Sequence, residues 1–313
     1  MIMQIRQGLW LCALLLLAVS ASAEQADAPF KPRMVLIIDD MGYNLKRGQA
    51  ALDLPGAVTY AVLPFTPYAK RFAEDAHNSG REVMLHIPMA NTAHKALGPG
   101  ALTADMSKQE IQTTLNKALD ATPHVVGINN HMGSLLTSLK APMQWVMETV
   151  KSRQLFFIDS LTSVKTVGWK VARENHVPYL KRHIFLDHEA TEAFIDGQFK
   201  RALHIADQFG FVVVIGHPYP ETSAYLAKAL PKLAAQNIEL VAASSIMAPG
   251  TKRQLTERAQ QRLQLAAAAD MVANSDQPSP QSQHQPKVSS RQQELKGGEA
   301  VMVSEQQGET VAD

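Results

Sequence analysis

Residues 34–42 read Met-Val-Leu-Ile-Ile-Asp-Asp-Met-Gly: five apolar residues, then at once two carboxylates. An unbroken apolar run of this length is typical of a strand buried on both faces of a parallel sheet. Asp39 and Asp40 then fall at the carboxyl end of that strand, where parallel α/β folds collect their reactive groups. The stretch therefore predicts a fold class and also the edge of the sheet on which a site should lie.

Similar apolar runs recur along the chain, with amphipathic segments between them. Ser107 and Glu110 have the spacing of a capping box that opens a helix, and Gly80 and Gly210 stand where two other helices should end. Regular alternation of strand and helix predicts a parallel sheet covered by helices. Seven or eight such units in one domain, over residues 33–248, favour a (β/α) barrel over an open sheet. The predicted strands cover residues 34–38, 58–63, 82–86, 125–129, 155–158, 177–180 (with 183–186 as a further segment), 211–215 and 238–241.

Composition and charge exclude several classes of function. The 313-residue chain is 46% hydrophobic, enough for a sizeable core, and its formal net charge is only +1. With aromatic residues at 6%, nothing favours nucleic acid as a partner. The one cysteine, Cys12, rules out an internal disulfide and a thiolate zinc cluster. A metal in this protein must therefore be held by histidines and carboxylates.

The two ends of the chain differ from the middle. Residues 1–23 have the features of a secretion signal, with Arg6 before an apolar stretch and Ala-Ser-Ala at 21–23 as the cleavage site. The alternative is an uncleaved anchor, but the apolar stretch is shorter than a spanning helix needs. We therefore expect a periplasmic protein with no stable membrane span after cleavage. Residues 250–313 are rich in Gln, Ser and Ala and predict a low-complexity, largely disordered tail, with one helix at 255–272.

Five predicted strands end in polar groups that could bind a metal or transfer a proton. Each group has an ordinary structural reading as well. An Asp after a strand often caps the next helix, a lone His is often a hydrogen-bonded structural residue, and Asp159 could either cap a helix or orient a histidine. Several imidazoles with a carboxylate at one edge would, however, make a normal catalytic zinc set. The strand ends are Asp39-Asp40, His86, Asn129-Asn130-His131, Asp159 and His217.

Taken together, these motifs resemble the divergent polysaccharide deacetylase family, a branch of the NodB-homology carbohydrate esterases. The resemblance covers roughly residues 33–247 and implies a distorted (β/α)7-8 barrel, a divalent metal that is usually zinc, and removal of N- or O-acetyl groups from a polysaccharide. The motifs that carry it are residues 37–42, His86, residues 129–134, residues 157–160 and residues 215–218.

The resemblance also implies roles for the strand-end residues. Asp39 matches the catalytic base and Asp40 the first metal ligand of the better-known branch, and His86 matches a second ligand. That branch carries another His four positions on, where this chain has Ala90. His131, one strand later, is the expected replacement, and it falls where the better-known branch carries an arginine motif.

The last motif supplies the acid. His217 matches the histidine that protonates the leaving group, and we expect Asp159 to orient it. The resulting hypothesis is an exported, metal-dependent deacetylase acting on an envelope or extracellular glycan. One alternative is a catalytically inactive periplasmic module on the same fold that binds glycan or an envelope protein. Another is a different metal-assisted hydrolase on the same barrel. Protein partners are not predicted.

Overall fold

The computed structural model describes residues 31–247 of the chain. The strands in this part are β1 (Arg33–Met41), β2 (Thr59–Val62), β3 (Glu82–Met89), β4 (Val125–Met132), β5 (Phe156–Asp159), β6 (Tyr179–Lys181), β7 (Ile184–Phe185), β8 (Phe211–Gly216) and β9 (Glu239–Leu240). The helices are α1 (Leu45–Leu52), α2 (Ala69–Asn78), α3 (Lys108–Ala121), α4 (Lys140–Ser152), α5 (Gly168–Glu174), α6 (Glu192–Phe209), α7 (Pro220–Ala229) and α8 (Ala243–Met247). Short 3-10 turns occur at Leu136–Ser138, Leu230–Lys232 and Ala234–Gln236.

These strands form one parallel sheet. Their order is β6-β5-β4-β3-β2-β1-β8-β7, and β9 pairs with the beginning of β1. Each strand except β6 is followed by a helix before the next strand begins. Because the strands are parallel, their carboxyl ends meet at one edge, and the polar strand ends singled out in the sequence share that edge.

The sheet curls on itself. Its two end strands, β6 and β7, are joined only by Arg182 and His183, and three Cα–Cα steps span at most about 11 Å. Arg182 N donates to Asp159 O of β5 at 3.0 Å, and His183 N donates to Val213 O of β8 at 2.8 Å. The chain thus crosses from one end of the sheet to the other within two residues. The fold is a curled, parallel half-barrel with helices outside, which confirms the predicted fold class.

Side chains of β1 alternate between two cores. Val35 and Ile37 belong to the cluster inside the barrel, whereas Leu36 and Ile38 pack with Phe72 of α2 outside it. All four β1 residues are at most 1% exposed, which is the double burial that the apolar run predicts. By the period of two along a strand, the next inward position falls to Asp39.

Helix α8 closes the amino end of the barrel. Ala243 packs in the inner cluster, and its backbone N–H donates to Thr59 Oγ1 at 3.3 Å. Ser244 N donates to the Glu82 carboxylate, also at 3.3 Å. Since Thr59 and Glu82 begin β2 and β3, α8 covers the end of the barrel opposite Asp39. The carboxyl edge is left for a site.

Local signals in the sequence placed the helix ends well. Ser107 and Glu110 form both bonds of the capping box at the start of α3. Helix α6 ends at Gly210, whose φ of +81° is a left-handed conformation that favours glycine. Strand ends were less well predicted. β3 and β4 extend three residues beyond the expected positions 86 and 129, because they continue to pair with each other as far as Met89 and Met132.

The predicted signal at 1–23 and the predicted tail at 250–313 lie outside the described residues, and both stay predictions. Within residues 31–247, no helix combines the length and the apolar character that crossing a bilayer requires.

Candidate active site

A bulge in β1 brings Asp39 and Asp40 to the same place. The pairing of β1 with β2 shifts register between Ile38 and Met41, and Asp40 has a φ of +56°. Consecutive side chains of a regular strand point to opposite faces, but a bulge with one left-handed residue redirects one of them. Asp39 Oδ2 and Asp40 Oδ1 therefore lie 3.7 and 3.2 Å from the same atom, Nε2 of His86. Such backbone strain concentrates at functional sites.

β3 and β4 supply the two histidines. The strand register sets His86 directly opposite Asn129, and the period of two places His131 on the same face as Asn129. Asn130 faces the other way, and its Oδ1 accepts from Ser160 N at 3.0 Å. Of the polar run at 129–131, two side chains enter the site and one ties the end of β4 to the segment after β5.

The structure brings together the three residues predicted as metal ligands. His131 Nδ1 lies 2.8 Å from Asp40 Oδ1 and 3.2 Å from His86 Nε2. One possible ligand atom from each residue lies within 4.8 Å of the others. The side chain of His86 is 2% exposed and that of Asp40 is 32% exposed. The cluster is therefore buried at His86 and accessible to solvent at Asp40.

The chemistry of this cluster fits a divalent cation. Asp40 Oδ1 is buried, and the ring nitrogens of His131 and His86 face it at 2.8 and 3.2 Å, so a cation held between these atoms would balance the buried charge. His86 Nδ1 lies 2.7 Å from Asn129 Oδ1. Because an amide oxygen only accepts, Nδ1 carries the ring proton and Nε2 is left as a lone-pair donor, as in most metal-ligating histidines. Two imidazoles and one carboxylate leave positions open for water and substrate; zinc as the metal stays a prediction.

The two neighbouring aspartates have opposite electrostatic environments. Burial raises the pKa of Asp39 above its ordinary value, although His86 and His217 oppose the shift. Burial also acts to raise the pKa of Asp40, but the contacts with His131 and His86 outweigh it and hold that pKa well below its usual range. Asp40 is therefore suited to stay ionised as a ligand. Asp39, whose Oδ1 also accepts from Asn129 Nδ2 at 2.8 Å, is the more basic carboxylate.

His217 follows β8 and is held by Asp187. Its Nδ1 lies 2.9 Å from Asp187 Oδ1, and its backbone N donates to Asp187 Oδ2 at 2.6 Å. The free ring nitrogen, Nε2, lies 3.9 Å from Asp40 Oδ2 and so faces the cluster. Burial lowers the pKa of His217, but the hydrogen bond and charge of Asp187, with the charges of Asp40 and Asp39, outweigh it and raise the pKa to about 9. The ring is thus suited to donate a proton from Nε2.

Asp159 does not lie at His217, and the prediction that it orients this histidine is wrong. Its carboxylate accepts instead from Leu161 N at 3.0 Å, from Thr166 Oγ1 at 2.8 Å and from Trp169 N at 3.0 Å. Trp169 stands in the first turn of α5, where a carboxylate satisfies free N–H groups. Of the two interpretations that the sequence left open, the helix cap describes Asp159.

Two residues of the site were missed or given no role. Asp187 follows the apolar residues 184–186, which is the same signal that singles out Asp39, but in the sequence this segment reads as a continuation of the strand predicted at 177–180. Asn129 was recognised as a polar strand end without a function. In the structure its amide joins His86 to Asp39, a connection that no local pattern reveals.

A cavity of about 220 Å³ opens beside the cluster. Two exposed aromatic side chains, Tyr43 (53% exposed) and Phe65 (48% exposed), stand at this edge of the barrel. The segment between β3 and α3 runs close to both of them: a Cβ at Gly98 would lie 3.1 Å from the Tyr43 hydroxyl, and one at Gly100 would meet the ring of Phe65. The residues that line the cavity include Asp40, Tyr43, Arg47, His131, His217 and Tyr219.

Comparison with known proteins extends these observations. Residues 36–247 match the family model described as divergent polysaccharide deacetylase. The uncharacterized protein YibQ of Escherichia coli K12 is 40% identical over 215 residues, which are 69% of this chain and 67% of that protein. An uncharacterized protein of Haemophilus influenzae is 36% identical over 209 residues, which are 67% of this chain and 74% of that protein.

A solved structure shares the fold. The crystal structure of the uncharacterized protein ATU2773 from Agrobacterium tumefaciens C58 superposes with a TM-score of 0.68 at 23% identity, covering 72% of this chain and 94% of that one. At this identity the likeness concerns architecture alone. The family match, by contrast, spans well over half of the chain and includes all the residues of the site. The protein belongs to the divergent polysaccharide deacetylase family.

Proposed function

We propose that the protein is a metal-dependent deacetylase that hydrolyses N- or O-acetyl groups of a glycan. One observation carries the proposal: Asp40, His86 and His131 converge within 4.8 Å, and the buried carboxylate of Asp39 and the imidazole of His217 both lie within 4 Å of these ligand residues. Metal binding alone would need neither of these flanking groups. Hydrolysis of an amide or ester needs both, one to take a proton and one to give it back.

The metal would be held by Asp40 Oδ1, His86 Nε2 and His131 Nδ1. When bound, a divalent ion supplies a Lewis acid that polarises the acetyl carbonyl and favours deprotonation of water. Asn129 contributes by holding the His86 ring in the tautomer whose Nε2 is free. Zinc is the metal that we propose, because two imidazoles and one carboxylate are a common catalytic zinc set.

Asp39 is the proposed general base. Its Oδ2 lies 3.7 Å from His86 Nε2, next to the ligand atoms, while its Oδ1 is occupied by the amide of Asn129. Oδ2 is therefore the oxygen left to accept a proton from the attacking water. The raised pKa makes this transfer more favourable than it would be for an exposed aspartate.

His217 is the proposed general acid. Asp187 fixes the ring by accepting a hydrogen bond from Nδ1–H, so that Nε2 points towards Asp40 and the cavity. Since the pKa of His217 is raised to about 9, the ring is cationic at neutral pH. It can protonate the departing amine or alkoxide as the bond to the acetyl carbon breaks.

We also propose that the protein acts in the periplasm on an envelope glycan, from the signal-like sequence at 1–23. Amino-terminal sequencing of the protein from the envelope fraction tests this part: a mature chain that begins near Glu24 supports export with signal cleavage, and one that begins at Met1 contradicts the cleavage.

The activity is tested by release of acetate from acetylated oligosaccharides by zinc-loaded protein. Wild-type protein should release acetate and lose this activity with a chelator, and zinc should restore it. Asp39→Asn and His217→Ala should bind zinc and release little acetate. If the wild-type protein binds zinc and oligosaccharide without releasing acetate from any of them, the inactive binding module is the better description.

A further inference from the structure

We propose that the cavity beside the metal cluster takes an acetylated sugar that carries a carboxylate, and that Arg47 binds this carboxylate. The inference rests on the proposed function for the reaction, but it concerns which glycan the site accepts. It names a specificity-determining residue that the deacetylation chemistry itself does not require.

The position of Arg47 comes first. Its side chain lines the same cavity of about 220 Å³ as Asp40, His131 and His217. A ligand large enough to fill that cavity while its acetyl group approaches the cluster must therefore also meet the guanidinium. Tyr219 lies close enough to Arg47 for the two to interact electrostatically, so the cation and the phenol face the same space.

The charge of Arg47 is not neutralised by the protein. Within residues 31–247 no carboxylate forms an ion pair with its guanidinium, and the side chain of Asn44 accepts only from the Arg47 backbone N. The first turn of α1 contains no acidic residue either. Asp40, the carboxylate that shares the cavity, is directed to His86 and His131 instead. Arg47 is exposed to solvent, so its guanidinium is accessible to an anionic group of a ligand that enters the cavity.

A carboxylate is a better ionic partner for the Arg47 guanidinium than a phosphomonoester or a neutral glycan. The planar guanidinium fork matches a carboxylate in a bidentate pair, and one negative charge balances one arginine. A phosphomonoester carries about −1.5 to −2 and would leave excess negative charge close to Asp40. A neutral glycan would leave the arginine without an ionic partner inside the complex.

The rest of the rim suits a sugar. Tyr43 and Tyr219 both line the cavity, and Tyr43 is about half exposed although its ring is large. Exposed aromatic faces grouped around a cleft are a common feature of ligand-binding grooves. A pyranose ring can pack its C–H face on such a ring while its carboxylate reaches the guanidinium.

The test compares each acidic probe with its own methyl ester, which removes the charge and keeps the sugar. The probes are a hyaluronan tetrasaccharide, with a uronate next to the acetylated sugar, and the disaccharide of N-acetylglucosamine and N-acetylmuramic acid, with the carboxylate on an acetylated sugar. Dissociation constants are measured with zinc-loaded protein, and acetate release is measured in parallel. A phosphorylated N-acetylglucosamine serves as a third probe.

We expect at least one acid to bind roughly ten- to a hundredfold more tightly than its methyl ester, as a charge-assisted pair in a cleft should give. Arg47→Ala should abolish this preference by weakening the binding of the acid to the level of its ester. Lys46→Ala is the matched control, since Lys46 is a cation on the same turn of α1 that does not line the cavity; it should keep the preference. Arg47→Gln repeats the test should the alanine variant fail to fold.

Equal binding of both acids and their esters by the wild-type protein would overturn the inference, and so would a preference that survives in Arg47→Ala. Tighter binding of the phosphorylated sugar than of either acid would also contradict it. Failure of the proposed function looks different. A protein that releases no acetate but keeps a preference dependent on Arg47 is a binding module for acidic glycans, and the assignment of Arg47 then stands.

Discussion

His217 contacts the Asp187 carboxylate twice, through Nδ1 to Oδ1 at 2.9 Å and through its backbone N to Oδ2 at 2.6 Å. The carboxylate is 0% exposed, and Thr222 Oγ1 donates to Oδ2 at 2.8 Å. The hydrogen bonds to the Asp187 carboxylate come from His217, just after β8, and from Thr222 in the first turn of α7. Its role is therefore to fix the imidazole and stabilise its charged form.

Asp187→Asn should move the alkaline limb of the rate profile to lower pH. In the wild-type protein the acid is lost as pH rises through the raised pKa of His217, about 9. An amide cannot stabilise the imidazolium as a carboxylate does, so the pKa of His217 falls and the same loss of rate begins at lower pH. The pH dependence of kcat, measured together with zinc content, checks this. An unchanged alkaline limb in a folded, zinc-loaded variant would contradict the role of Asp187.

Asp159→Asn is the matched control for that experiment. The same substitution here removes a charged acceptor from Trp169 N and Thr166, so we expect a loss of roughly 1–3 kcal/mol in the free energy of unfolding. The alkaline limb should stay where it is, because Asp159 does not contact His217. Urea unfolding and the pH profile distinguish the two residues: Asp159→Asn should lower the free energy of unfolding, and Asp187→Asn should shift the alkaline limb.

His131→Ala should lose most of the bound zinc. The site falls from three protein ligands to two, and imidazole is a strong ligand. Zinc stoichiometry after dialysis, with the melting temperature of the same sample, checks this. Full occupancy in folded His131→Ala would remove His131 from the proposed ligand set. His94→Ala, at an exposed position of the segment between β3 and α3, is a control that should keep the metal.

His217→Ala and Asp39→Asn should keep the metal and lose turnover. Neither residue supplies one of the three converging atoms, and loss of a general acid or base costs roughly a hundred- to ten-thousandfold in rate. Asn has nearly the shape of Asp but is far too weakly basic to accept the proton. Acetate release and zinc content on the same preparations decide the matter. Parallel losses of metal and activity in both variants would mean that the two residues serve the metal site and not proton transfer.

Many strands and helices of the barrel can be predicted from short local stretches of the sequence. The apolar run of β1, the capping box of α3 and the glycine after α6 each act within a few residues, so the elements could be predicted from the sequence. Because parallel strands end at a common edge, an apolar run followed by a polar residue also predicted that the polar strand ends would share one edge. The resemblance to the deacetylase family then implied that Asp40, His86 and His131 are the metal ligands among them.

What could not be predicted depends on contacts distant in sequence. Asn129 reaches Asp39 across 90 positions, and Asp187 reaches His217 across 30. Both contacts depend on strand register, which an apolar pattern does not specify to one residue. The bulge at Asp40 is also not visible in the sequence, since alternation alone would turn Asp40 away from His86. Arg47 was missed for another reason: a lone cation at the start of a helix is common on any surface.

The stability of the protein should fall in acid because of His183, which lies in the two-residue connection between β6 and β7. The ring Nδ1 of His183 accepts a hydrogen bond from Val213 N at 2.9 Å, while the backbone N of His183 donates to Val213 O. A neutral ring therefore helps to close the curled sheet.

Burial of the ring nitrogen, with the charges of Lys181 and Arg182, lowers the pKa of His183 to about 4. The unfolded chain, with a pKa of about 6.5, takes up this proton first as pH falls. Stability due to His183 is therefore complete above pH 6.5 and declines between about 6.5 and 4. The residue as a whole is exposed, so solvent screens this effect and we expect a loss of at most about 1 kcal/mol. Urea midpoints at pH 7 and pH 4.5 should fall less in His183→Gln than in the wild-type protein, since glutamine can accept the same bond but does not titrate. An NMR titration that places the pKa of His183 at or above 6.5 would contradict this account.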